Sequence, residues 1–127
     1  MGGTIKLDCV VLDCPDPVGL ARFYGELLGW KPDEPVVEAD GGEWVTLRNP
    51  DGGVHLAFQR DPDYRAPTWP SNERAQMLHL DFHVTDFEAW HRRAVELGAT
   101  VLRDRDATFT VYADPAGHPF CLCRNES

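Results

Sequence analysis

No stretch of this 127-residue chain approaches the ~20 consecutive apolar residues that a membrane-spanning helix requires. Its twelve Lys and Arg are scattered and outnumbered by twenty-one Asp and Glu, for a net charge of -9. The clustered basic footprint of a nucleic-acid binder is therefore missing, and anionic membrane surfaces are disfavoured. Residues 1–6, Met-Gly-Gly-Thr-Ile-Lys, lack the basic segment and apolar run of a secretory leader, so the expected compartment is the cytoplasm. None of the four cysteines, Cys9, Cys14, Cys121 and Cys123, forms a C-x-x-C pair, and thiols rather than a disulfide framework are expected.

The chain does contain an ordinary globular composition, 43% apolar and 26% charged, and enough length for one core without staples. One domain spanning 1–127 is expected. Residues 5–12 form a β-rich run. Asp16 is placed to cap a helix, Pro17 suits its first position, and Leu20, Phe23, Tyr24, Leu27 and Leu28 recur at helical spacing before a stop at Gly29. The spacing predicts a helix over 17–28. Short strands follow near 35–39, 43–48 and 54–60, separated by Asp40-Gly41-Gly42 and Asn49-Pro50-Asp51-Gly52-Gly53. Residues 61–76, with Pro62, Pro67 and Pro70, read as a connection between two halves.

The second half repeats the programme. A strand over 77–84 leads to a capping box at Thr85 and Glu88, then to a helix with Phe87, Trp90, Ala94 and Leu97 on one buried face and Gly98 as its stop. Strands follow near 99–103, 108–113 and 119–124. A shift of about 70 residues places Cys9 on His79, Asp16 on Asp86 and Arg22 on Arg92, which marks an internal repeat. The expected architecture is α+β: two βαβββ modules, about 5–60 and 77–124, forming an incompletely closed barrel-like sheet around a cavity.

Four segments carry a resemblance: residues 7–12, Leu20-Ala21-Arg22-Phe23-Tyr24 running into Leu27-Leu28-Gly29-Trp30, Leu78-His79-Leu80-Asp81, and Asp114-Pro115-Ala116-Gly117-His118-Pro119-Phe120. Together they resemble the glyoxalase/bleomycin-resistance/dioxygenase (vicinal oxygen chelate) superfamily, in its short glyoxalase-like branch. That superfamily holds lyases, isomerases, epimerases, ring-cleaving dioxygenases, thiol transferases and antibiotic-sequestering proteins, so the resemblance leaves function open. Its metal enzymes take one ligand, usually His, Gln or Glu, from the first and last strand of each module. The matching positions here are Cys9, His79, Cys121 and either Ala57 or Leu56.

A hard, oxygen-preferring ion favours carboxylates, and these positions offer none. Two readings of Cys9, His79 and Cys121 stand side by side: a soft, open site for zinc, or a pocket lining of thiols and a histidine without metal. His55 and Gln59 share a strand face with Ala57 if that strand is regular, and His83 shares one with His79. Trp69, held between prolines, either packs locally or closes over a ligand or a second subunit. Cys14 and Cys123 read as packing residues, His118 as a loop residue, and His91, beside Arg92 and Arg93, as part of a solvated helix face.

The leading expectation is a small-molecule binding protein that sequesters a flat apolar or aromatic ligand among Cys9, His55, Phe58, Gln59, Trp69, His79, His83 and Cys121, with no cofactor. The alternative is a lyase or isomerase using a divalent metal at Cys9, His79 and Cys121, or acid/base chemistry through His79 and His83. The resemblance implies a homodimer, and the 61–76 connection permits the modules to pair within one chain or between chains.

Overall fold

The computed structural model describes residues 3–30, 43–69, 73–76, 78–104 and 108–124. The chain divides into two compact units, Met1–Tyr64 and Arg65–Ser127, with the boundary inside the Pro-rich connection. The expected strand at 35–39 lies outside the described residues.

In the first unit, strand β1 (Cys9–Cys14) leads into helix α1 (Pro17–Leu28), followed by β2 (Trp44–Leu47) and β3 (His55–Arg60). The helix starts where the sequence places it: the Asp16 carboxylate accepts from Gly19 N at 3.1 Å, and Pro17 spends no backbone donor in the first turn. It ends at Gly29, whose φ of 72° is left-handed. The sheet has the order β1-β3-β2, with β1 parallel to β3 and β2 antiparallel to it.

Strand alternation sorts this sheet into two faces. Leu12, Val45, Leu47, Leu56 and Phe58 are buried on one face, and α1 buries Leu20, Phe23, Tyr24 and Leu27 in the same core. Each such side chain contributes on the order of 1.5–3 kcal/mol. Tyr24 stacks on Phe58 at 6.0 Å between centroids. Cys14 is buried with them, five residues and therefore one face away from Cys9. The opposite face carries Cys9, Val11 and Asp13 in register with His55, Ala57 and Gln59.

The second unit contains the full strand, helix and three-strand succession: β4 (Leu80–Val84), α2 (Phe87–Leu97), β5 (Thr100–Asp104), β6 (Phe109–Ala113) and β7 (Pro119–Arg124). Its sheet has the order β4-β7-β6-β5, with β4 parallel to β7 and the others antiparallel. Both sheets are open, and the architecture is α+β. The repeat extends to the register, because Val11 opposes Ala57 in the first sheet and Asp81 opposes Cys121 in the second.

Three expectations about α2 change. The N-cap is Asp86, in a left-handed conformation with φ 59° and no side-chain capping bond, in place of a box built on Thr85 and Glu88. Trp90 is 38% exposed, because the helix approaches its sheet through the small Ala94, which is fully buried, with Phe87 half-buried beside it. His91 faces inward, its Nδ1 2.7 Å from the Tyr112 hydroxyl, so it does not belong to the solvated face of Arg92 and Arg93. Tyr112 in turn stacks on Phe120 at 5.1 Å.

Candidate functional site

One face of the second sheet packs against α2, and the other forms a cleft. Alternation puts Phe109 and Val111 of β6 on the cleft side with Pro119 and Cys121 of β7, and His79, just before β4, joins them. Trp69 and Gln76, from the segment before β4, complete a wall around about 250 Å³. Trp69 is held by local structure. Thr68 N donates to Arg74 O at 2.7 Å, Arg74 N donates to Thr68 Oγ1 at 3.0 Å, and the Arg74 guanidinium donates to Ala66 O at 3.0 Å. Ala66 packs against Gly117, where an added Cβ would come within 2.6 Å of the Ala66 methyl. Gly117 also has a φ of 92°, so the turn between β6 and β7 needs glycine for both conformation and space.

The polar edge of the cleft is built on Asp81. Its Oδ1 is 3.5 Å from His79 Nε2, and it accepts a hydrogen bond from the Cys121 thiol, the residue directly opposite on β7. Burial, followed by the Asp81 charge and that hydrogen bond, pushes the Cys121 thiol up to about 12. Burial and Asp81 also raise Cys123, and burial and Asp8 raise Cys9. These thiols are thus held protonated, the opposite of the electropositive setting that activates a nucleophilic cysteine.

Of the site residues expected from sequence, Trp69, His79 and Cys121 come together in this cleft. His83 is exposed opposite Cys123 and shares the sheet face without lining the cleft. Cys9, His55, Phe58 and Gln59 lie in the first unit. There His55 Nδ1 accepts from Asn49 N at 2.8 Å and ties down the turn before β3. Phe58 is fully buried on the core face, and Gln59 is exposed on the opposite face with Cys9 and His55.

Sequence reasoning missed Asp81, Gln76, Phe109, Val111 and Pro119. Asp81 had a signal, since it lies midway between His79 and His83 at the two-residue spacing of one strand face.

A resident divalent ion fits this chain poorly. Of the four positions that the resemblance assigns to metal ligands, the one at Ala57 or Leu56 offers only a buried apolar side chain, and the Cys121 proton is strongly held. Among the described residues, no group of three or more His, Cys, Asp or Glu is arranged to hold a metal.

The chain belongs to the glyoxalase-like domain family, whose pattern matches residues 9–123, within the vicinal oxygen chelate superfamily. Among solved structures, it is similar to a glyoxalase/bleomycin resistance protein/dioxygenase family enzyme from Burkholderia phytofirmans PsJN. The identity is 18%, the TM-score 0.71, and the match covers 94% of this chain and 98% of that one. It is also similar to the fosfomycin resistance protein FosX from Mesorhizobium loti, at 14% identity and TM-score 0.71, covering 98% of this chain and 94% of that one. TioX from Micromonospora sp. ML1 matches at 14% identity and TM-score 0.65, covering 96% of this chain and 100% of that one. At these identities the likeness is one of fold. No curated protein matches the chain. Among the described residues, no helix is long and apolar enough to cross a membrane.

Proposed function

We propose that the protein binds a flat, largely apolar or aromatic small molecule and holds it without transforming it, in the manner of the bleomycin-resistance branch. The observation that carries this reading is the composition of the cleft: Trp69, Phe109, Val111 and Pro119 provide apolar walls, and His79, Gln76 and Cys121 provide the polar groups that orient a ligand. A protonated, unreactive thiol and an incomplete ligand set favour holding over turnover. Family membership supports a small-molecule role in general, and a cytoplasmic homodimer is part of the same proposal.

A second reading rests on the 3.5 Å approach of His79 and Asp81. A carboxylate beside an imidazole is a common element of acid/base catalysis, and a lyase or isomerase would use the pair for proton transfer. The metal-dependent form, through Cys9, His79 and Cys121, has less support because Ala57 cannot complete the set.

Calorimetric titration with a panel of naphthalene, anthraquinone and indole compounds tests the main reading. Saturable binding that leaves the compound chemically unchanged is expected. No binding across the panel would overturn it, and chemical conversion would replace it with the second reading.

A further inference from the structure

The register of the second sheet aligns four residues in one row across the cleft face. Asp81 on β4 opposes Cys121 on β7, Cys121 opposes Val111 on β6, and Val111 opposes Arg103 on β5. The last pairing depends on an irregularity. Val101 opposes Tyr112, and the register then shifts so that Arg103, rather than Leu102, meets Val111. A bulge of this kind re-aims a side chain to the other face of a strand. Here it turns Arg103 to the face that Val111 and Cys121 line, and the Arg103 guanidinium lies 5.9 Å from the centre of the Trp69 ring.

The row therefore carries an anion at one end and a cation at the other, three strand spacings or on the order of 14 Å apart. Between them lie only a methyl-bearing side chain and a thiol whose proton is already given to Asp81. Asp81 accepts from Cys121 and stands beside His79. A carboxylate has about four acceptor sites, so capacity remains for a ligand donor. Arg103 presents a planar fork of donors, and among the described residues no carboxylate pairs with it.

We infer that the cleft is specific for elongated, flat amphoteric ligands: a cationic or hydrogen-bond-donating group seated at Asp81 and His79, an aromatic body against Trp69 and Phe109, and a carboxylate or comparable acceptor at Arg103. This deepens the proposed binding function and rests on it. The two charges select orientation as well as identity, because a reversed ligand would set like charges together at both ends. Two fused rings with end groups suit the span better than a single ring.

The test uses four naphthalene probes in calorimetry: naphthalenemethanol, naphthoic acid, naphthylmethylamine, and aminomethyl-naphthoic acid with its two groups at opposite ends of the ring pair. The amphoteric probe is expected to bind at least about tenfold more tightly than the neutral one, the scale of one charge-assisted hydrogen bond. Arg103→Gln should collapse the affinity ratio between probes with and without the acid, and Asp81→Asn the ratio between probes with and without the amine. Equal affinities for the amphoteric and neutral probes would overturn this inference while leaving the binding function in place. Failure of all four probes to bind would overturn this inference, and the binding function falls with it only where the anthraquinone and indole compounds also fail to bind. Circular dichroism checks the fold of each variant, and if one does not fold, the wild-type ratios decide.

Discussion

Asp81 and Cys121 face each other across β4 and β7, and the thiol donates its hydrogen bond to the carboxylate. That contact ties the polar edge of the cleft to the backbone register, so the chemistry of the site follows from which residues the parallel pairing sets side by side. It also fixes the state of the sulfur. Burial contributes most to the rise of Cys121 to about 12, and the Asp81 charge adds to it.

The first prediction concerns that thiol. Moving from the ordinary 9.0 to about 12 leaves about a thousandfold less thiolate near neutral pH. Iodoacetamide labelling of Cys121, followed peptide by peptide, should be correspondingly slow, and Asp81→Asn should accelerate it severalfold. Stability follows the same linkage. The unfolded chain loses this proton near 9.0 and the folded chain keeps it to about 12, so the contribution is complete below 9.0 and falls across that window as pH rises. The slope is at most about 1.4 kcal/mol per pH unit, and Cys121→Ala should remove it from urea-unfolding curves measured across that range.

The two helix starts should respond in opposite directions. Asp16 caps α1 through its side chain, and Asp16→Ala should cost about 1 kcal/mol. Asp86 starts α2 with φ 59° and makes no capping bond, so Asp86→Gly should gain about 0.5 kcal/mol by relieving a left-handed residue. Chemical denaturation of both variants checks the pair. A loss at Asp86 equal to that at Asp16 would show that the Asp86 side chain does cap in solution.

The sequence made legible whatever depends on local pattern. The helix at 17–28, its cap and stop, the strands near 108–113 and 119–124 and the repeat are all encoded by spacing and turn residues. Two residues of the proposed site were hidden for different reasons. In the strand that holds Asp81 the histidines carry the ligand signal, although alternation places Asp81 between them on one face. Arg103 was not accessible to periodicity, because the register shift after Val101 breaks the alternation that would locate it. Helical spacing groups Trp90 with the core because it shows which residues share a face. It does not show how closely the helix edge approaches the sheet, and that is set by Ala94.

Metal content follows from the donor set. With Ala57 at one ligand position and a firmly protonated Cys121 at another, protein purified without an affinity tag should contain well under one equivalent of zinc, manganese or iron. A chelator should leave its thermal midpoint unchanged. Stoichiometric zinc that disappears in a Cys9→Ser/Cys121→Ser double variant would reverse this expectation and favour the catalytic reading.

Phe58 separates packing from binding. Fully buried and stacked on Tyr24, it should behave as core, and Phe58→Ala should cost about 3–5 kcal/mol in urea unfolding. Phe58→Leu, which retains most of the volume, should restore much of the stability and leave probe affinity within about twofold, since so little side-chain surface is exposed. A large affinity loss with a modest stability loss would instead place Phe58 against the ligand.

Trp69 should show the reverse pattern. Its ring lines the cleft and is only partly buried, and its segment is fixed by the Thr68 and Arg74 bonds, which do not involve the indole. Trp69→Ala should therefore shift unfolding by under about 1 kcal/mol and weaken the naphthalene probes by about tenfold, the magnitude expected for losing one aromatic contact. Bound naphthalene probes are expected to quench tryptophan fluorescence, and Trp69→Phe should recover most of the affinity while removing the part of that quenching that belongs to this indole. Trp44 provides the control, because its Nε1 donates to Thr46 Oγ1 at 2.9 Å in the first unit. If Trp44→Phe abolished the quenching and Trp69→Phe preserved it, the ligand would sit against the first sheet, and the cleft of the second unit would lose its claim to be the binding site.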